Sequence, residues 1–180
     1  MKLGPRLRAA RKSRKISVRA LAKRTGFSPS FLSQVELGQS SPSLASLQRI
    51  CDALEVDLAD LLRDPSRART NPVIRRAERA SVRSEWSKAS AESLVPNGGD
   101  DRFSALLLSL DPGGRTGALP SRKGMRELAY CVRGTVRLIL GEDRYDLSSG
   151  DSVVLDQANA SWENLGRGRA EVLVMSVRLT

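Results

Sequence analysis

The chain predicts two domains of different class: an all-helical head over residues 1–64 and an all-β body over residues 73–180, joined by a linker at 65–72. Three observations carry this division. In the first third, apolar residues recur at three- and four-residue spacing, as on one helix face; beyond residue 72 they fall in short runs separated by glycine-containing turns. Between lies Asp64-Pro65-Ser66-Arg67-Ala68-Arg69-Thr70-Asn71-Pro72, polar, charged and bracketed by prolines, as a connector should be. Charge divides the same way: residues 1–69 hold 14 Lys and Arg against 6 Asp and Glu, a net of +8, whereas residues 70–180 hold 16 against 14, a net of +2.

In the head, the segment Ile16–Gly38 reads as two short amphipathic helices joined by a glycine turn. Ser17 is placed to cap the first, with Ile16 and Leu21 at staple spacing, and Val18, Leu21 and Ala22 share its inner face. Gly26 supplies the backbone conformation that ends it. The second repeats the grammar with Ser28 as cap, Pro29 at the first helical position, and Phe27 and Leu32 as staple. Leu32 and Val35 point inward, leaving Ser28, Ser30, Ser33 and Gln34 outward, a small polar face suited to the major groove of double-stranded DNA. Farther on, Leu44, Leu47, Ile50, Cys51 and Leu54 recur at helical spacing behind Ser43 as cap. Residues 1–24 hold ten basic side chains and no acid, a concentration that attracts phosphate.

Ala22, Gly26, Leu32, Val35 and Glu36-Leu37-Gly38, continuing through Pro42-Ser43-Leu44, Leu47–Ile50 and Leu54-Glu55-Val56, resemble the phage-repressor-like, "xenobiotic response element" helix-turn-helix regulators. The resemblance implies a five-helix, lambda-repressor-like domain with helices near Leu3–Arg14, Val18–Arg24, Pro29–Glu36, Leu44–Leu54 and Leu58–Leu62. Carried over by position, it puts Gln34 and Ser30 at base edges, with Ser28, Pro29 and Ser33 around them, and Gln39, Ser40 and Ser41 in a loop along the DNA backbone. Val18 stands where the family often has a glutamine, so Arg19 substitutes as a phosphate ligand. Arg11 and Glu36 match a structural salt bridge between the first and third helices. A DNA operator and a homodimer on paired half-sites follow from the same resemblance.

In the body, Phe103–Leu110, Glu127–Val132, Thr135–Leu140, Arg144–Leu147, Ser152–Leu155 and Glu171–Leu179 read as strands of a sandwich or barrel. Gly114, Glu127 and Gly134, then Leu147-Ser148-Ser149-Gly150-Asp151 and Ala160-Ser161-Trp162-Glu163-Asn164, are similar to the two motifs of a cupin, a jelly roll or double-stranded β-helix. That frame puts Pro120, Arg122 and Ala160 where histidine ligands of a metal would stand, and the chain has no histidine. One carboxylate, Glu127, does not make a transition-metal site. No metal, cofactor or catalytic residue is therefore expected, and a metal-dependent cupin enzyme is the least favoured reading.

The expected role of the cupin is to sense a small-molecule effector, to dimerise, or both. Arg122, Glu127, Trp162 and Asn164 are the candidate effector residues: Arg122 for an anion, Glu127 for an ammonium group, Trp162 as a wall. Alternatively, Arg122 and Glu127 neutralise each other and fill the cavity. An antitoxin-like autorepressor, with the cupin as a partner platform lacking a ligand, is the other reading of the whole chain. Cys51 and Cys131 form no disulfide framework and fit a reducing cytosol. No apolar run approaches the ~20 residues of a membrane span, so a cytoplasmic protein associated with the bacterial nucleoid through DNA is expected.

Overall fold

The computed structural model describes residues 3–56, 58–62, 73–95, 103–120, 124–155 and 159–178. The expected linker at 65–72 and Arg122 lie outside these residues.

Helices α1 (Leu3–Ser13), α2 (Val18–Thr25), α3 (Pro29–Leu37) and α4 (Leu44–Ala53) precede a single helical turn, α5 (Leu58–Leu62). Three serines start three of them. Ser17 Oγ accepts the Ala20 N–H, Ser28 Oγ the Phe31 N–H and Ser43 Oγ the Ser46 N–H, each at 3.1 Å. Each such cap is worth about 1 kcal/mol. Gly26 and Gly38 end α2 and α3 with φ of 70° and 73°, a left-handed conformation that a Cβ would strain. After Gly38, the Gln39 N–H reaches back to the Gln34 carbonyl at 2.8 Å, which turns the chain sharply out of α3.

The inward residues of these helices, Leu7, Leu21, Leu32, Val35, Leu47, Ile50 and Leu54, are almost fully buried. Cys51 is buried among them as a small apolar side chain. Gly4 lets α1 lie on α3, because a Cβ there would collide with the carbonyl oxygens of Val35 and Glu36. The same two helices are tied by the expected Arg11–Glu36 pair, Nε to Oε1 at 2.6 Å and Nη2 to Oε2 at 2.8 Å.

Among the described residues, ten strands build two antiparallel sheets. One has the order β1 (Ser81–Ser84), β2 (Ala89–Ser93), β3 (Phe103–Leu110), β10 (Ala170–Arg178), β5 (Met125–Arg133), β8 (Ser152–Leu155). The other runs β4 (Leu119–Pro120), β9 (Asn159–Asn164), β6 (Thr135–Leu140), β7 (Asp143–Ser148). Alternation along the strands sends Leu108, Leu110, Ala129, Cys131, Val172, Val136, Leu138 and Trp162 into the interior.

The bounds of β3, β6 and β8 are those the sequence suggests, while β5 starts two residues earlier, at Met125. The hairpin β1–β2 was not foreseen. Its strands, Ser-Val-Arg-Ser and Ala-Ser-Ala-Glu-Ser, carry small residues and little β-branching, yet Val82, Ala89 and Ala91 are buried. Tertiary packing makes this hairpin, since α4 and α5 lie against β2. Head and body also bond directly: the Ala45 N–H donates to the Thr116 carbonyl at 3.1 Å, and Ser41 Oγ to the Arg83 carbonyl at 3.4 Å.

Candidate nucleic-acid interface

The outer side of α3 carries most of the residues singled out for DNA. Pro29, Ser30 and Gln34 are exposed, Ser33 is half-buried, and Ser28 is exposed with its hydroxyl oxygen engaged as the helix cap. That hydroxyl keeps its proton to donate. Gln39 is exposed and Ser40 half-buried in the turn after Gly38. Arg19 stands exposed on the first turn of α2. The inner side of α3 is fixed by Leu32, Val35 and Glu36, all buried. Fixing one side this way holds the other in a constant orientation.

Glu36 is the electrostatic anchor. Its two oxygens grip the Arg11 guanidinium at both ends, and Arg11 also donates to the Ile16 carbonyl at 2.8 Å. Hydrogen bonding to Glu36 pushes the Arg11 pKa above its ordinary value, against the opposing effect of burial. Removing one partner of such a pair leaves the other charge stranded, at about 3–5 kcal/mol.

The basic N-terminal segment separates into two groups. Arg6 Nη1 donates to the Leu62 carbonyl at 2.6 Å, Arg14 Nη2 to the Glu55 carbonyl at 2.9 Å and Arg24 Nη1 to the Ala53 carbonyl at 3.3 Å. These guanidinium groups satisfy carbonyls left open where α4 and α5 end, and favour the negative end of the helix dipole. Arg8, Lys12, Lys15, Arg19 and Lys23 are exposed, and their side chains have no hydrogen-bond or ion-pair partner among the described residues. The second group is the one available to phosphate. Sequence pattern did not separate the two, because each structural bond joins residues tens of positions apart.

In the cupin, Glu127 projects inward from β5, and its Oε1 accepts the Ser176 hydroxyl at 3.1 Å. Trp162 is 1% exposed, so it packs as core. Asn164 gives both amide hydrogens away, to the Leu110 carbonyl at 2.9 Å and the Gly168 carbonyl at 2.8 Å, and its Oδ1 accepts the Gly166 N–H at 2.7 Å. It braces the turn before β10. Arg122, the fourth candidate, lies outside the described residues.

The metal customary in cupins finds no matching donor set. Ala160 is a buried methyl beside Leu119 and Trp162 positions of the sheet, Glu127 is engaged by Ser176, and no three Asp, Glu or Cys side chains converge among the described residues. The Cys131 thiol is buried, which pushes its pKa up, and it faces the carbonyls of Arg133 and Gly134.

The outer face of the larger sheet is apolar across four neighbouring strands. Val154, Leu128, Met175 and Ala105 lie in register across β8, β5, β10 and β3, beside Tyr130, Leu173 and Leu107. Of these, Val154 is 56% exposed, Tyr130 40% and Leu128 37%. A row of this kind on an open sheet is unusual for a monomer.

A capped helix-turn-helix with a polar outer face, followed by a two-sheet jelly roll, defines a class of DNA-binding transcriptional regulator. The helix-turn-helix family matches residues 7–61 and the cupin domain family residues 106–176. The chain thus carries an N-terminal helix-turn-helix domain and a C-terminal cupin domain, and the curated relatives it resembles are HTH-type transcriptional regulators. It is similar to the HTH-type transcriptional regulator PuuR of Escherichia coli, 24% identical over 154 residues that cover 85% of this chain and 82% of that protein. It is 27% identical to the HTH-type transcriptional regulator SutR of Escherichia coli over 151 residues, 84% of this chain and 80% of that one. A crystal structure of a helix-turn-helix family transcriptional regulator from Vibrio cholerae shares the fold, with a TM-score of 0.74 at 21% identity over 99% of this chain and 96% of that one. No helix among the described residues is long and apolar enough to cross a membrane.

Proposed function

We propose that the protein is a sequence-specific regulator whose five-helix, repressor-like head of residues 1–64 lays α3 in the major groove of an operator, and whose cupin of residues 73–180 dimerises and senses a small molecule. The observation that carries the reading is the two-sidedness of α3: one side buried and pinned by Glu36, the other polar and exposed. Gln34 is the base-reading residue, able to engage adenine through both ends of its amide. Ser28, Pro29, Ser30 and Ser33 surround it, Gln39 and Ser40 follow the backbone, and Arg19 with Arg8, Lys12, Lys15 and Lys23 neutralises phosphate.

One head covers one half-site, so affinity requires a pair. The apolar sheet face is the proposed seam of that pair, which places it in the homodimer and leaves the heads free. Such a regulator works in the cytoplasm, on the nucleoid. Effector sensing inside the barrel rests on Glu127, the inward carboxylate, because Trp162 and Asn164 have packing and bracing roles. The chemistry of a metal-dependent oxygenase has no donor set among the described residues to rest on, and the named relatives are regulators.

The test is retention of duplexes selected from a random pool. Wild-type protein is expected to select one motif and to lose affinity steeply as salt rises. Gln34→Ala should cost about 1–3 kcal/mol at a single position of the motif while leaving binding to unselected DNA unchanged. An unaltered motif would remove Gln34 from the reading set, and no retention in dilute buffer would remove the function.

A further inference from the structure

Between the head and the cupin lies a cleft of ≈ 390 Å³ that belongs to neither domain alone. Phe31 of α3 and Ser40 of the following turn form its head side, and Trp86, Ser87, Arg115 and Thr116 its cupin side. Its size falls among sites that hold small molecules, roughly 300–1,000 Å³. We propose that this cleft binds a small planar carboxylate, and that the bound anion lowers the affinity of the head for DNA. The second half of the proposal rests on the reading of α3 and its following turn as the DNA-contacting elements; the first half does not.

The lining chooses the ligand. It contains no acidic side chain and one arginine, Arg115, which is exposed and has no carboxylate partner among the described residues. A guanidinium left unpaired beside a concavity favours a carboxylate, which it can hold through two parallel hydrogen bonds. A cation would find no acidic side chain in the lining. Trp86, on the turn between β1 and β2, is 90% exposed, while the other tryptophan, Trp162, is 1% exposed. An indole turned out to solvent beside a cleft is apolar area that a ligand can cover, and with the Phe31 ring it offers apolar walls for a flat body. Ser87 is buried, and its hydroxyl has no hydrogen-bond partner.

The cleft also touches what reads DNA. Phe31 is on α3 itself, its ring tilted 58° against that of Phe27 with centroids 5.1 Å apart, and Ser40 is in the turn assigned to the DNA backbone. The cupin side is held to the head by the Ser41–Arg83 and Ala45–Thr116 hydrogen bonds, one within the same turn and one at the start of the helix that follows it. An anion seated here brings negative charge next to the elements that approach phosphate. Ligand and DNA therefore oppose each other, and by linkage each weakens the other by one common factor.

The experiment uses the full chain and three probes with one ring and different charge: benzoate, benzyl alcohol and benzylamine. At millimolar concentration and without DNA, benzoate is expected to change tryptophan emission and to shift the backbone amides of Phe31, Ser87 and Gly117, benzyl alcohol more weakly, and benzylamine not at all. Arg115→Gln should weaken benzoate on the order of tenfold, with an unchanged melting temperature showing that the fold is intact. Benzoate should release a selected duplex by the same factor as the duplex weakens benzoate. Silence towards benzoate, an equal response to benzylamine, benzoate binding unaffected by Arg115→Gln, or amide shifts confined to the inner faces of β5 and β10 would each overturn the site. Benzoate binding with no effect on duplex retention would overturn the coupling. Failure of the ligand-free protein to retain any duplex would refute the DNA reading, while the emission titration would still decide the site.

Discussion

The outer side of α3 and the outer side of the β5–β10 sheet are both turned to solvent, but their chemistry is opposite. On α3 the exposed groups are Ser30, Pro29 and Gln34, with free cations nearby on α1 and α2; on the sheet they are Leu128, Tyr130, Val154 and their neighbours. A polar side flanked by positive charge gains by meeting a hydrated polyanion, because it exchanges water and counterions for phosphate and base edges. An apolar sheet gains only by losing water, and a second copy of the same sheet offers an equally apolar partner. On the function proposed above, one chain specifies two partners through two faces that do not compete.

That contrast can be broken from the sheet side first. Leu128→Lys puts a charge in the middle of the apolar row and should convert dimer to monomer in sedimentation. Operator affinity should then fall by about 10²–10⁴, because the second half-site is no longer linked to the first. A variant that stays dimeric with full affinity would show that the seam lies elsewhere. Next in size, Arg11→Met strands Glu36 between α1 and α3 and should destabilise the head by about 3–5 kcal/mol. Differential unfolding followed by hydrogen exchange should show the head opening first while the cupin strands stay protected. Uniform loss of protection would mean that the two domains unfold as one.

The smallest effect is one of pH, on the cupin alone. Arg169 and Arg83 hydrogen-bond Asp111 at 2.9 and 2.8 Å and hold its pKa below the ordinary carboxylate value. The group is lower in the folded than in the unfolded chain, so its contribution is full above the unfolded value of about 3.9 and is lost as pH falls through the folded one. Because both arginines stand about half exposed, water screens these contacts and the contribution is small. Asp111→Asn should flatten the acid limb of the cupin melting curve slightly and leave its plateau near neutrality almost unchanged.

How legible each region was in the sequence follows from how local its causes are. Ser17, Ser28 and Ser43 cap their helices through bonds three residues away, and Gly26 and Gly38 need only their own backbone angles, so these features could be read directly from spacing. The face of α3 could be read for the same reason. Three strands of the cupin kept their expected bounds because apolar residues fill them. The β1–β2 hairpin had no such signal, and with it Trp86 passed unnoticed while Trp162 drew attention. Arg6, Arg14 and Arg24 looked like the other cations, since the carbonyls they serve lie 56, 41 and 29 residues away. The candidate barrel residues met a similar limit: the roles of Trp162 and Asn164 depend on Thr116, Leu110 and Gly168, which only the closed fold brings to them.

The central claim is that α3 enters the major groove, and chemical methylation of a selected duplex tests it most directly. Methylating guanine N7 blocks the major groove, whereas methylating adenine N3 blocks the minor groove. The account predicts that N7 methylation within each half-site abolishes binding and that Gln34→Ala changes the pattern of interference. Interference from adenine N3 alone, or from neither groove, would contradict it.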